Sequence, residues 1–151
     1  MTGDFDMDKA QKGFTLIELV VVITILGILA AFAFPRFASL EVEARAATVD
    51  GLAGSLRSAS ALAHSLDLVG AAIVMEGNTI AMVNGYPAGT ALGIELTLTD
   101  FTGFTVTYVA GPPGVATFEK DGGNAGTCTV TYTGTAVAGT PSTIVANNSA
   151  C

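Results

Sequence analysis

The sequence predicts an α+β fold, helical in its N-terminal half and closed by a small antiparallel β-sheet in its C-terminal half. Three observations predict it. Phe14 to Phe34 is a run of 21 residues with a single charge, Glu18. Residues 36–68 then repeat apolar side chains at three- to five-residue steps, the period of one helix face. From residue 104 onward apolar and Thr side chains alternate, the period of a strand with one buried face.

Composition bounds the function. The 151 residues suffice for one domain plus an extension. Half of them are hydrophobic and only 13% are charged, with a net charge of -7 and a mean hydropathy of +0.59. No Lys/Arg cluster exists to neutralise phosphates, so nucleic acid is not an expected partner. His64 is the sole histidine. With it on a helix, no Ser/His/Asp or Cys/His set forms, and no Gly-rich run ends in Gly-Lys-Ser/Thr. Neither an enzyme nor a cofactor is expected. The two cysteines, Cys128 and Cys151, lack a paired Cys-x-x-Cys, which argues against zinc. Two reduced thiols are one reading. A disulfide pinning the C-terminus is the favoured one, and it implies an oxidising compartment.

The apolar run is long enough, as a helix of about 32 Å, to match a bilayer core. Glu18 is anomalous there: a carboxylate at mid-membrane costs about 2.5–3.5 kcal/mol, less near the interface. A cleaved secretory signal has a shorter apolar core followed by a small-residue site. Here the run is longer, and Gly13 precedes it.

The octapeptide Lys12-Gly13-Phe14-Thr15-Leu16-Ile17-Glu18-Leu19 resembles the signature of type IV prepilins and of the pseudopilins of type II secretion. The resemblance is strong over residues 7–68 and architectural beyond them. It implies a type IV pilin fold, a long N-terminal helix whose first half protrudes while its second half packs on the sheet. It implies cleavage between Gly13 and Phe14 by prepilin peptidase and N-methylation of Phe14. It also implies that Glu18 pairs with the Phe14 amine of a neighbouring subunit during assembly. An unpaired buried charge is expensive and opposite charges in a low dielectric attract, so the pairing would set register. Residues 1–13 would be the leader, 14–35 the transmembrane and polymerisation helix, and 36–151 the head. Leaders of this family are short and basic, whereas residues 1–13 sum to -1. Translation from Met7 would give a leader of side-chain charge +1, in better accord with the positive-inside rule.

Pro35 either ends the apolar helix or kinks it, and Gly27 is a second weak point. The resemblance implies a kink and a helix that resumes. Phe37, Leu40, Ala44, Ala47, Leu52, Leu56, Ala59, Ala63 and Leu66 form its expected apolar face. A continuous helix from Phe14 to Leu68 would be about 82 Å long. A 15 kDa domain cannot bury both halves, so the first half needs lipid or other subunits. His64 on this helix reads as a surface or packed side chain.

Residues 69–103 read as a loop, clearest at Asn84-Gly85-Tyr86-Pro87-Ala88-Gly89. The Asn-Gly-Tyr-Pro run resembles the mannose-sensitive haemagglutinin branch of type IV pilins. Ile94 to Leu98 is compatible with a short strand or a helical turn. Residues 104–110, 115–120 and 127–133 predict a three-stranded antiparallel meander, its apolar face packed on the helix. Pro141 to Ala146 is a candidate final edge segment. Asp121-Gly122-Gly123-Asn124 reads as a hairpin turn, since Glu119, Asp121 and Asn124 are too few ligands for a calcium loop. Closing Cys128–Cys151 would stabilise the fold by about 3 kcal/mol. It would bound an uncharged surface loop over 134–150, which resembles the variable region of pilins.

These readings converge on the major subunit of a type IV pilus. Expected partners are copies of itself in a helical filament, prepilin peptidase, an inner-membrane assembly platform, the membrane before assembly, and surface or glycan receptors. The precursor is expected in the inner membrane and the mature subunit in an extracellular pilus. Adhesion, biofilm formation and motility would follow. The alternative is a type II secretion pseudopilin. A membrane-anchored glycan-binding monomer is a third reading.

Overall fold

The computed structural model describes residues 13–151. Residues 1–12 of the expected leader 1–13, including a start at Met7, lie outside the described residues. Contacts divide the described residues into two compact units, 13–39 and Leu40–Cys151.

Helix α1 spans Leu16–Leu68 and contains Pro35. Proline has no N–H to give the carbonyl of Ala31, four residues earlier. The helix nonetheless continues through it, so Pro35 does not end the apolar segment. In the first unit the large apolar side chains from Phe14 to Phe37 are exposed.

In the second unit α1 contributes Val49, Leu52, Ala53, Leu56, Ser60 and Ala63 to the buried interior. Their spacing of three and four residues defines one helix face. This corrects the expected stripe at its start. Phe37 and Leu40 are exposed, as are Ala44 and Ala47, while Ala46 faces the core. The residues of 37–47 chosen by apolar spacing sit on a different side of the helix. Alanine is too weakly apolar to reveal which side a neighbouring sheet will cover.

The segment expected as loop contains two short ribbons. Strands β1 (Val74–Met75) and β2 (Asn78–Thr79) pair antiparallel, as do β3 (Met82–Val83) and β4 (Tyr86–Pro87). Each turns over two residues. Glu76 and Gly77 have φ of 49° and 80°, and Asn84 and Gly85 have 53° and 87°. Two successive positive φ values match the hand of the strand twist, which is why Asn-Gly is favoured in such turns. Two-residue strands carry too short a pattern to show alternation, hence the loop reading. Glu95–Thr97 is a 3-10 helix, which resolves Ile94–Leu98 as helical. The ribbons cover a small apolar cluster of Ala63, Ile73 and Ile80.

The sheet comprises β5 (Phe104–Val109), β6 (Val115–Lys120), β7 (Thr129–Thr133) and β8 (Thr143–Asn147) in the order β5-β6-β7-β8. All neighbours are antiparallel. The meander therefore has four strands, the candidate edge segment being a full strand. Register aligns Val106 with Phe118, Phe118 with Val130, and Tyr132 with Ile144. This row meets Val49, Leu52 and Leu56 of α1 in one core. Phe101 packs edge-on against Phe118, with ring centroids 6.0 Å apart. Tyr132 is fully buried and its hydroxyl donates to the Pro87 carbonyl at 2.7 Å. That bond joins the sheet to the β3–β4 ribbon.

Candidate assembly site

The sequence Thr15-x-x-Glu18 has the form of a capping box, a signal that the spacing alone made readable. The Thr15 N–H donates to Glu18 Oε2 at 2.9 Å, and the Thr15 hydroxyl does so at 2.6 Å. In return the Glu18 N–H donates to Thr15 Oγ1 at 3.3 Å. Two amides at the helix start that lack intrahelical acceptors are thereby satisfied. Glu18 thus has local partners within its own chain. Phe14 stands beside this pair, and Phe14, Ile17, Glu18, Val21 and Val22 line one open apolar surface.

The rest of the segment has no cover. Helix α1 is long and apolar enough to cross a membrane by length and composition, with a window of mean hydropathy 2.7 and none of that window buried. Gly27 lies within it, and a Cβ there would meet nothing within 4 Å. Its glycine is therefore not required by contacts among the described residues. Near Pro35, the Ser39 hydroxyl donates to the Arg36 carbonyl at 2.9 Å. Such back-bonding is common where helices bend.

At the opposite end of the sequence, Cys128 and Cys151 are joined, with Cα atoms 4.9 Å apart. Polar bonds secure the same tail. Arg45 Nη1 donates to the Cys151 carbonyl at 3.0 Å, and Asn124 Nδ2 donates to the Ala150 carbonyl at 2.9 Å. Asn148 Nδ2 donates to Asp50 at 3.0 Å. Gly123 makes the turn beside this staple possible. A Cβ there would lie 2.7 Å from Cys128 Cβ. Asp121, expected in a hairpin turn, occupies the turn between β6 and β7 and accepts from the Thr105 hydroxyl at 2.9 Å. Among the described residues no group of three or more His, Cys, Asp or Glu side chains could hold a metal ion.

His64 is packed. Its ring stacks on Tyr86 with centroids 4.1 Å apart, and Nδ1 lies 2.6 Å from the Gly85 carbonyl. Residues 134–150 are only partly a surface loop. Gly134 and Thr135 are buried, and 143–147 are β8.

Residues 8–34 match the family model described as the prokaryotic N-terminal methylation motif. The chain is 58% identical over 52 residues to the type IV narrow pilus major component PilA5 of Thermus thermophilus. The chain is thus similar over about a third of its length to type IV pilins. The match spans 34% of the chain and 45% of that pilin. A second type IV pilin, the major fimbrial protein FimA of Dichelobacter nodosus, is 49% identical over 51 residues, 34% of the chain and 32% of FimA. The chain thus aligns with less than half the length of these pilins. No solved structure matches the chain. The family-model match falls on the start of the uncovered apolar helix.

Proposed function

We propose that the chain is the major subunit of a type IV pilus. It is cleaved between Gly13 and Phe14, methylated on Phe14, held in the inner membrane by residues 14–35, and then assembled through that segment into a surface filament. The observation that carries this reading is an apolar segment without cover that opens with a methylation motif and holds one carboxylate, Glu18. In a bilayer that carboxylate is a cost. In a filament the Phe14 amine of a neighbouring subunit supplies its counter-charge. Leaving the capping box for that amine would switch the helix start from a self-contained to a shared arrangement. Pro35 and Gly27 are the positions at which the helix would bend to fit a filament core. The relatives are named as major pilus components, and the Cys128–Cys151 staple supports the pilin reading over the pseudopilin one. Surface attachment and biofilm formation are the roles such a filament serves, with the uncharged surface of 136–142 as the contact face for surfaces or glycans.

Shearing cells that produce the chain, with electron microscopy and mass spectrometry of the sheared fraction, tests this. The expected result is filaments whose subunit begins at methylated Phe14. A subunit that retains Gly13, or a monomer with no filaments, would overturn it.

A further inference from the structure

In the head, the buried stripe of α1 separates a flank lined by two carboxylates from one that carries Arg57. On one flank, Ser55, Ser58 and Leu62 line an open groove of about 560 Å³, closed by Met75, Glu76 and Asp100. Among the described residues no Lys, Arg or His lines it. Glu76 is carried on the β1–β2 turn at a positive φ, a position where Asn or Gly is usual. Asp100 is fixed by the Thr102 N–H at 2.8 Å and the Thr102 hydroxyl at 2.5 Å. Those bonds hold its carboxyl below the ordinary value. Leu62 is half exposed beside these carboxylates.

On the other flank, Arg57 and His64 border a shallower pocket of about 260 Å³ with Tyr86, Pro141, Ser142 and Ile144. At 3.6 residues per turn, positions 55, 58 and 62 and positions 57, 61 and 64 fall on either side of the buried row. The exposed Arg57 makes one hydrogen bond among the described residues, a long one of 3.4 Å to the Ile144 carbonyl. The one ion pair among the described residues is Arg45–Glu41, so Arg57 has no carboxylate partner among the described residues.

We infer that the Arg57 flank of one copy docks into the Glu76–Asp100 groove of the next copy, a head-to-tail contact between heads. This rests on the filament reading and deepens it. The occupant is chosen by charge. Groove against groove would crowd four carboxylates, and Arg57 against Arg57 would place two cations together, so self-complementary pairing is disfavoured at both flanks. Only unlike flanks fit. A contact between unlike patches propagates along an open helix, where a self-complementary one would stop at a dimer. Leu62 and Met75 on one side and Pro141 and Ile144 on the other supply apolar surface around the charge pair.

Charge reversal in the full-length chain on cells tests this, with sheared filament measured against subunit remaining in the membrane. Arg57→Asp and Asp100→Arg, made singly, should each lower sheared filament about fivefold or more, and the double variant should restore it to within about twofold. Glu76→Lys, at an exposed turn, with and without Arg57→Asp, repeats the test should Asp100→Arg prevent folding. Single reversals that assemble like the parent, or a double that assembles no better than either single, would overturn the contact. Absence of filament from the parent chain would overturn the filament reading itself, and the contact with it.

Discussion

Thr15 and Glu18 satisfy each other at the start of α1. Glu18 accepts from both the Thr15 amide and hydroxyl, while its own N–H donates to Thr15 Oγ1. The carboxylate that looks unsupported in an apolar run is thus held locally, within its own chain.

Two roles for Glu18 can therefore be separated. Glutamine retains an acceptor for the Thr15 amide and keeps a capping box, but it has no charge to offer an amine. Glu18→Gln and Glu18→Ala should both accumulate in the membrane and both fail to give sheared filaments. Thr15→Ala, which loses the hydroxyl cap at about 1 kcal/mol, should still assemble. Immunoblots of membrane and sheared fractions decide, and normal piliation in Glu18→Gln would show that hydrogen bonding alone suffices.

The C-terminal staple should matter more than its position suggests. The disulfide closes a loop with a sequence separation of 23, worth about 3 kcal/mol. Cys151→Ser should lower the urea midpoint of the detergent-solubilised chain by an amount that corresponds to that energy. Reductant should bring the parent to the same midpoint. An unchanged midpoint would mean that the bonds from Arg45 and Asn124 hold the tail without it.

Gly123 lies against that staple. Its substitution by Ala would push a methyl group into Cys128 Cβ at 2.7 Å, and overpacking of this kind costs about 1–3 kcal/mol. Gly123→Ala should lower the urea midpoint, whereas Gly27→Ala, with no neighbour within 4 Å, should not. Equal behaviour of the two would remove the steric argument.

Tyr132 predicts an alkaline limit. Burial pushes its hydroxyl above the ordinary tyrosine value, with the nearby Ser142 and Ser60 hydroxyls opposing the rise. The folded state thus holds a proton that the unfolded chain releases above about pH 10. Stability from this group is fully present below that pH and is lost as pH rises through the folded-state value. Tyr132→Phe should cost about 1 kcal/mol at neutral pH through the lost bond to Pro87, and should flatten the decline between pH 9 and 11. Circular dichroism melts at those pH values measure both effects.

The local chemistry of the sequence by itself determined the two ends of the protein. A run of this length with a single charge, Glu18, reads as a helix that needs lipid or other chains around it, because a bilayer or a dry interface tolerates no unpaired backbone. Alternation of Thr with Val, Phe and Tyr specified β5, β6 and β7, because a sheet covered on one face sorts side chains by parity. The cysteine pair was legible because few alternatives remained for it. The tertiary structure decided the remainder. Which side of α1 faces the sheet could not be read from 37–47, since Ala offers too little transfer energy to mark a face. The ribbons of 74–87 were hidden because two-residue strands carry no period and are held by the cluster of Ala63, Ile73 and Ile80 beneath them. The two charged flanks exist only in the fold, because Arg57, Glu76 and Asp100 acquire their relation through packing between segments distant in sequence.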